Sequence, residues 1–206
     1  MTDKTIVAAA PPIQVGGSLF TPEQLAAAVA AAGPDGRIEM TPFKQLYVEI
    51  AASRRAEAEA KLAEAGLEVY PAGFVAKSLI ACNFCKGAED AGLETARAVN
   101  RAIAGIPAPT PLKIGYAGCA LGTSEPLLKD IGIVKMRNTF DLYVGGDPKG
   151  LKAATGRLLI SGLEEERLIP AVTALIEYYK THAKGKEKFR KFVDRVSMDT
   201  LRELVG

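Results

Sequence analysis

The chain has 206 residues, 48% of them hydrophobic and 24% charged, which is enough for one sizeable core or two small lobes and excludes a disordered or fibrous chain. Its 26 Lys and Arg exceed its 24 Asp and Glu by only two and are spread along the sequence, so charge gives no case for nucleic acid. No stretch approaches the roughly 18 apolar residues of a membrane span, and MTDKTIVAAAPPIQ lacks the charged-then-apolar layout of a secretion signal, so a cytoplasmic protein with no membrane partner is expected.

In chain order, an early strand is expected near 13–19. Thr21, with Pro22 and Gln24 behind it, has the character of a capping box, and the alanine-rich run that follows supplies a helix that Gly33 stops. RIEMT at 37–41 and LYVEI at 46–50 read as strands, 53–65 as a helix ended by Gly66, and LEVY as a further strand. That order is what a ferredoxin-like split βαββαβ lobe produces. The first domain is therefore placed at 1–71 and the second at 72–206.

In the second domain KSLI at 77–80 reads as a strand entering the loop ACNFCKGAED, and about 88–104 as a helix leaving it. LKIGYA reads as a strand entering a second loop, GCALGTSEP. IGIVKMR and FDLYVGG form a hairpin pair around Asn138 and Thr139, and the chain from about 163 is helical. Gly145, Gly146 and Asp147 with Gly150 are explained by turn chemistry, since no G-x4-G-K-[ST] pattern is present. KTHAKGKEKFRK is the only locally basic run; it reads as a solvated face, with a docking surface as the alternative.

The chemistry lies in the two glycine-flanked loops. They hold all three cysteines, Cys82 and Cys85 in the first and Cys119 in the second. An odd count with a C-x2-C pair argues against a disulfide framework and for metal or redox chemistry. Zinc wants four ligands, and the only histidine, His182, lies far off in a helical region. Three isolated cysteines would more simply be small buried apolar residues. Two loops at strand ends would let distant thiolates meet at one edge of a sheet, and three converging thiolates could hold a [4Fe–4S] cluster with one iron open, or a [3Fe–4S] cluster.

The runs GGSLFTPEQL, IEMTPFKQLYVEI, the first cysteine loop with its helix, IGYAGCALGTSEPLLKDIGIV, FDLYVGG and KFRKFVDRVSMDTLREL together resemble the sulfite and nitrite reductase family, in particular its small single-repeat members. The resemblance implies an α+β fold: a ferredoxin-like lobe packed on an α/β iron–sulfur and siroheme domain with a helical C-terminus. It also implies Cys82, Cys85 and Cys119 as cluster ligands. Thr41, Lys44, Lys77, Lys86, Arg97 and Thr123 would be contacts to siroheme or its carboxylates, and Lys44, Lys77 and Lys86 the candidates for charge at a reacting anion.

Two departures stand out. The first cysteine loop is shorter than the family's, with only Asn83 and Phe84 between its cysteines. Thr123 stands where the family's C-x3-C pair would place the cysteine that bridges cluster and siroheme, and a protonated hydroxyl is a poor substitute for a bridging thiolate. The resemblance thus implies a redox protein passing electrons from a donor protein to a small oxyanion. The alternative is a non-catalytic derivative that carries a cluster, a tetrapyrrole or electrons. Pairing of two chains is a further expectation, by analogy with larger relatives that hold two such repeats.

Overall fold

The computed structural model describes residues 3–149 and 151–206; Gly150, of the glycine turn noted above, lies outside them. The chain separates into two compact units, the residues up to Gln14 with Ser18–Ala72, and Val15–Gly17 with Gly73–Gly206.

The first unit runs β1 (Lys4–Ala10), α1 (Pro22–Ala32), β2 (Ile38–Met40), β3 (Leu46–Ala51), α2 (Arg55–Glu64) and β4 (Glu68–Pro71). Its four strands lie in the order β2-β3-β1-β4, every pairing antiparallel, which is the ferredoxin-like arrangement. The capping box forms: the Gln24 amide donates to the Thr21 hydroxyl, and the Gln24 side chain accepts from the Thr21 amide. Val7, Val48, Ile50, Ala28, Leu62 and Leu67 close the core between sheet and helices.

The first strand is Lys4–Ala10, not the 13–19 stretch. Gly16 and Gly17 sit at φ +93° and +97°, a left-handed backbone that breaks a ladder. TIVAAA, with Val7 to Ala9 fully buried, fills the central position instead.

The second unit carries a five-stranded sheet in the order β5-β6-β7-β8-β9: β5 (Ile80–Ala81), β6 (Ile114–Ala117), β7 (Ile131–Met136), β8 (Thr139–Val144) and β9 (Arg157–Leu163). The first three are parallel, and β8 and β9 continue antiparallel. Helices α3 (Leu93–Ile103), α4 (Glu165–His182), α5 (Phe189–Val196) and α6 (Met198–Val205) complete it.

Three local readings shift. Of KSLI only Ile80 joins a ladder strand. The helix after the first cysteine loop starts at Leu93, because left-handed Gly92, at φ +71°, ends the preceding turns. Strand β9 was hidden because a bulge against β8 and left-handed Gly162 break its alternation, leaving only Leu159 and Leu163 of its residues buried.

Candidate metal centre

Strands β5 and β6 are parallel neighbours with Ala81 opposite Tyr116, so the chain leaves both at the same end of the sheet, where open α/β sheets place their sites. Cys82 follows β5 directly and Cys119 follows β6 by two residues. One depression is lined by Cys82, Cys85, Cys119 and Thr123, with Phe84, Lys86, Ala91, Ala117 and Gly118 around them. Cys82 is buried, Cys119 half-buried, and Cys85 and Thr123 exposed.

The two loops are locked to each other. The Cys82 amide donates to the Tyr116 carbonyl at 3.0 Å, and the Gly118 amide donates to Cys82 Sγ at 3.3 Å. Gly118 has no room for a side chain: a Cβ there would fall 2.7 Å from the Ala91 carbonyl oxygen.

Phe84, between the paired cysteines, holds φ +53° with its ring 1% exposed. A left-handed non-glycine costs on the order of 1 kcal/mol; burial of the ring and its stacking on Tyr116 offset it. Tyr116 donates its hydroxyl to the carbonyls of Ala91 (2.9 Å) and Gly92 (3.1 Å). Burial, with Cys82 and Glu165 nearby, pushes its pKa up and keeps it a donor. Ser124, buried, donates to the Tyr116 carbonyl at 2.7 Å. From the amino-terminal side, the Gly16 amide donates to the Asn83 carbonyl at 2.9 Å, tying Val15–Gly17 to the first cysteine loop.

Among the described residues, no three His, Cys, Asp or Glu gather tightly enough to ligate a single metal ion. That is the wrong geometry for zinc. A [4Fe–4S] cubane makes a different demand, since each thiolate takes a different iron. Three thiols are the donor chemistry that an iron–sulfur cluster takes, and Thr123 lines the same depression.

A larger groove of about 800 Å³ shares Lys86, Gly118 and Cys119 with this depression and extends to Lys135, Arg137 and Asn138 on one side and Glu89 and Asp90 on another. This volume falls within the range of cofactor pockets. Lys135 donates to the carbonyls of Asp90 (3.1 Å) and Arg137 (2.8 Å), so its charge stays at the rim. Lys135 and Arg137 were missed in the sequence. They sit where β7 turns into β8, and because β7 parallels β6 that turn arrives at the cysteine end.

Lys86 lines both depressions. Lys77 lines neither: it is 2% exposed and donates to the Gly73 carbonyl at 2.7 Å, and burial lowers its pKa to about 8. Arg97 pairs with Glu94 one turn earlier on α3, at 2.7 Å. Thr41 and Lys44 belong to the first unit. The Thr41 hydroxyl donates to the Gln45 carbonyl at 2.8 Å and accepts from the Phe43 and Gln45 amides, so it builds the local turn. In that turn the buried Gln45 Oε1 has no hydrogen-bond partner among the described residues.

The nitrite and sulphite reductase 4Fe-4S domain matches residues 78–206, which contain both cysteine loops. A cobalt-factor III methyltransferase of Priestia megaterium is 29% identical over 177 residues, covering 86% of this chain and 33% of that protein. The sulfite reductase [NADPH] hemoprotein beta-component of Xanthomonas oryzae pv. oryzae is 28% identical over 181 residues, 81% of this chain and 31% of that protein. The chain thus spans about a third of these relatives. Dissimilatory sulfite reductase I superposes with a TM-score of 0.72 at 12% identity, over 98% of this chain and 69% of that one, a likeness of fold. No helix of the described residues is long and apolar enough to cross a membrane.

Proposed function

The chain belongs to the nitrite and sulphite reductase 4Fe-4S domain family, and on that premise we propose that it is an electron-transfer domain whose Cys82, Cys85 and Cys119 hold a [4Fe–4S] cluster beside a tetrapyrrole groove. The observation that carries this reading is the convergence of three thiols and Thr123 from two separate loops on one depression that shares residues with the larger groove. The ferredoxin-like unit and the cysteine-bearing unit are taken as its two functional domains.

The protein's part is to bind and to tune. Cys82 is buried with the Gly118 N–H on its sulfur, which stabilises the reduced cluster by offsetting its added negative charge. Cys85 is exposed, so this edge faces an electron-donor protein. Lys86 and Arg137 line the groove and offer charge-assisted hydrogen bonds to the carboxylates of a bound siroheme or to a small oxyanion. A siroheme bound there would supply an iron at which an oxyanion takes up electrons.

One observation favours a second reading, that of a cluster, electron or tetrapyrrole carrier. The depression is lined by Thr123 where a fourth thiolate would be needed, and among the candidate lysines only Lys86 lines the site. The relatives' names include both a hemoprotein component of sulfite reductase and a cobalt-factor III methyltransferase. Anaerobic purification, pigment extraction and sulfite and nitrite turnover separate the two. Siroheme with turnover supports the reductase, a cluster without either supports the carrier, and an iron-free protein after reconstitution overturns both.

A further inference from the structure

The end of the sheet opposite the cysteines carries a second, unrelated feature. Strand β8 runs antiparallel to β7, with Val144 opposite Ile131, so the segment after β8 emerges at the other end of the sheet, about 17 Å away along β7 at 3.4 Å per residue. There Lys149, Leu151 and Lys152 meet Lys188, Arg190 and Lys191 at the start of α5 in one groove of about 480 Å³.

The charge of this groove is unbalanced. Five cations face two carboxylates: Asp194 pairs with Arg157, outside the groove, at 2.8 Å, and Asp147 accepts from the Lys149 amide at 3.0 Å. The Arg190 guanidinium donates to the Lys152 carbonyl at 2.6 Å, joining loop to helix. Among the described residues no ion pair engages Lys149, Lys152, Lys188 or Lys191. Lys188 stands at the N-cap position of α5 without a side-chain capping hydrogen bond, Arg190 and Lys191 lie in its first turn, and that turn holds no acidic residue. A helix N-terminus disfavours cations, so the sequence here gives up local helix stability to gather positive charge where backbone N–H groups also point outward. In the same groove stands Leu151, the most exposed of the large apolar side chains, at 108% of its reference area.

We propose that this groove docks an acidic protein segment that presents an apolar side chain to Leu151. Cations around one apolar contact match a carboxylate-rich peptide, whereas a phosphate backbone would leave Leu151 without a partner. The docked segment lies at the end of the sheet away from the cysteines, so it anchors the domain without covering the cluster depression. The surface therefore stands or falls independently of the metal chemistry.

The test is fluorescence anisotropy of the full chain with a fluorescein-labelled glutamate-rich peptide bearing one central leucine. The controls are an all-glutamate peptide of equal charge and a single-stranded oligothymidylate. The expected results are saturable binding that weakens with added salt and a loss of roughly tenfold or more in the double variant Lys152→Glu/Lys191→Glu. Leu151→Ser should weaken the leucine-bearing peptide and leave the all-glutamate one unchanged. Absence of saturable binding, equal binding by the charge-reversed variant with its circular dichroism intact, or tighter binding of the oligothymidylate overturns the proposal.

Discussion

The Phe84 ring stacks on Tyr116 with centroids 6.1 Å apart and planes at 25°, and this contact ties the two cysteine loops into one unit. Phe84 stands between Cys82 and Cys85, while Tyr116 stands on β6 three residues before Cys119. The pair thus sets the distance between thiols that are remote in sequence.

Phe84→Ala removes that brace. Loss of a fully buried phenylalanine costs about 3–5 kcal/mol. Urea unfolding should show a destabilisation in that range, and anaerobic reconstitution should recover less iron than in the parent. Phe84→Tyr, which keeps the ring, should restore most of the iron; equal iron in the alanine variant would show that the stack does not position the cysteines.

Gly118→Ala forces a Cβ to within 2.5 Å of the Ala91 Cβ and 2.7 Å of its carbonyl oxygen. The backbone must shift, and the N–H aimed at Cys82 Sγ moves with it. The expected result is a destabilisation of about 1–3 kcal/mol with a lowered cluster reduction potential, since an N–H···S bond stabilises the more negative state. Spectroelectrochemistry checks the potential; no change in either quantity would remove this hydrogen bond from the tuning of the site.

Lys77 gives a pH signature. Burial lowers its pKa from 10.5 to about 8, so between those values the unfolded chain holds the extra proton and stability rises with pH. The cost of burying the ammonium is present below pH 8 and is relieved through the window to 10.5, a swing of up to about 3 kcal/mol. Lys77→Met should therefore be the more stable protein at neutral pH, with its advantage shrinking as pH rises. Paired urea titrations at the two ends of the window measure the difference; an advantage that grows with pH would contradict the assignment.

Thr123→Cys adds a fourth thiol to the lining of the depression. In the cluster-loaded protein the variant should show a changed electron paramagnetic resonance signal and resist cyanide, which should bind the parent's exposed iron and shift its signal. Identical spectra and identical cyanide response would mean that Thr123 does not face the fourth iron.

Much of the first unit was legible because its signals are local: a capping box at Thr21 and Gln24, alternating apolar residues in LYVEI, and a glycine at each helix end. The first strand was misplaced because its signature is a run of alanines, a residue with little strand preference. The Gly16–Gly17 pair was read as part of a strand although it is a break. In the second unit the cysteine loops were found from residue type and glycine flanking. Lys135 and Arg137 were not, because nothing local marks them: they reach the groove only through the parallel pairing of β6 with β7, a long-range contact. Lys77 stood out as a cation near the first loop, yet its burial depends on the bridge from Ala76 to Leu112 and could not be read from its neighbours in sequence.

The most direct test is iron and acid-labile sulfide analysis with electron paramagnetic resonance after anaerobic reconstitution, on the parent and on Cys82→Ser, Cys85→Ser and Cys119→Ser. The prediction is about four irons and four sulfides per chain with a cluster signal on reduction, and a sharp loss of iron in each variant. A parent that takes up no iron, or three variants that all keep the parent's iron, would contradict a cluster held by these cysteines.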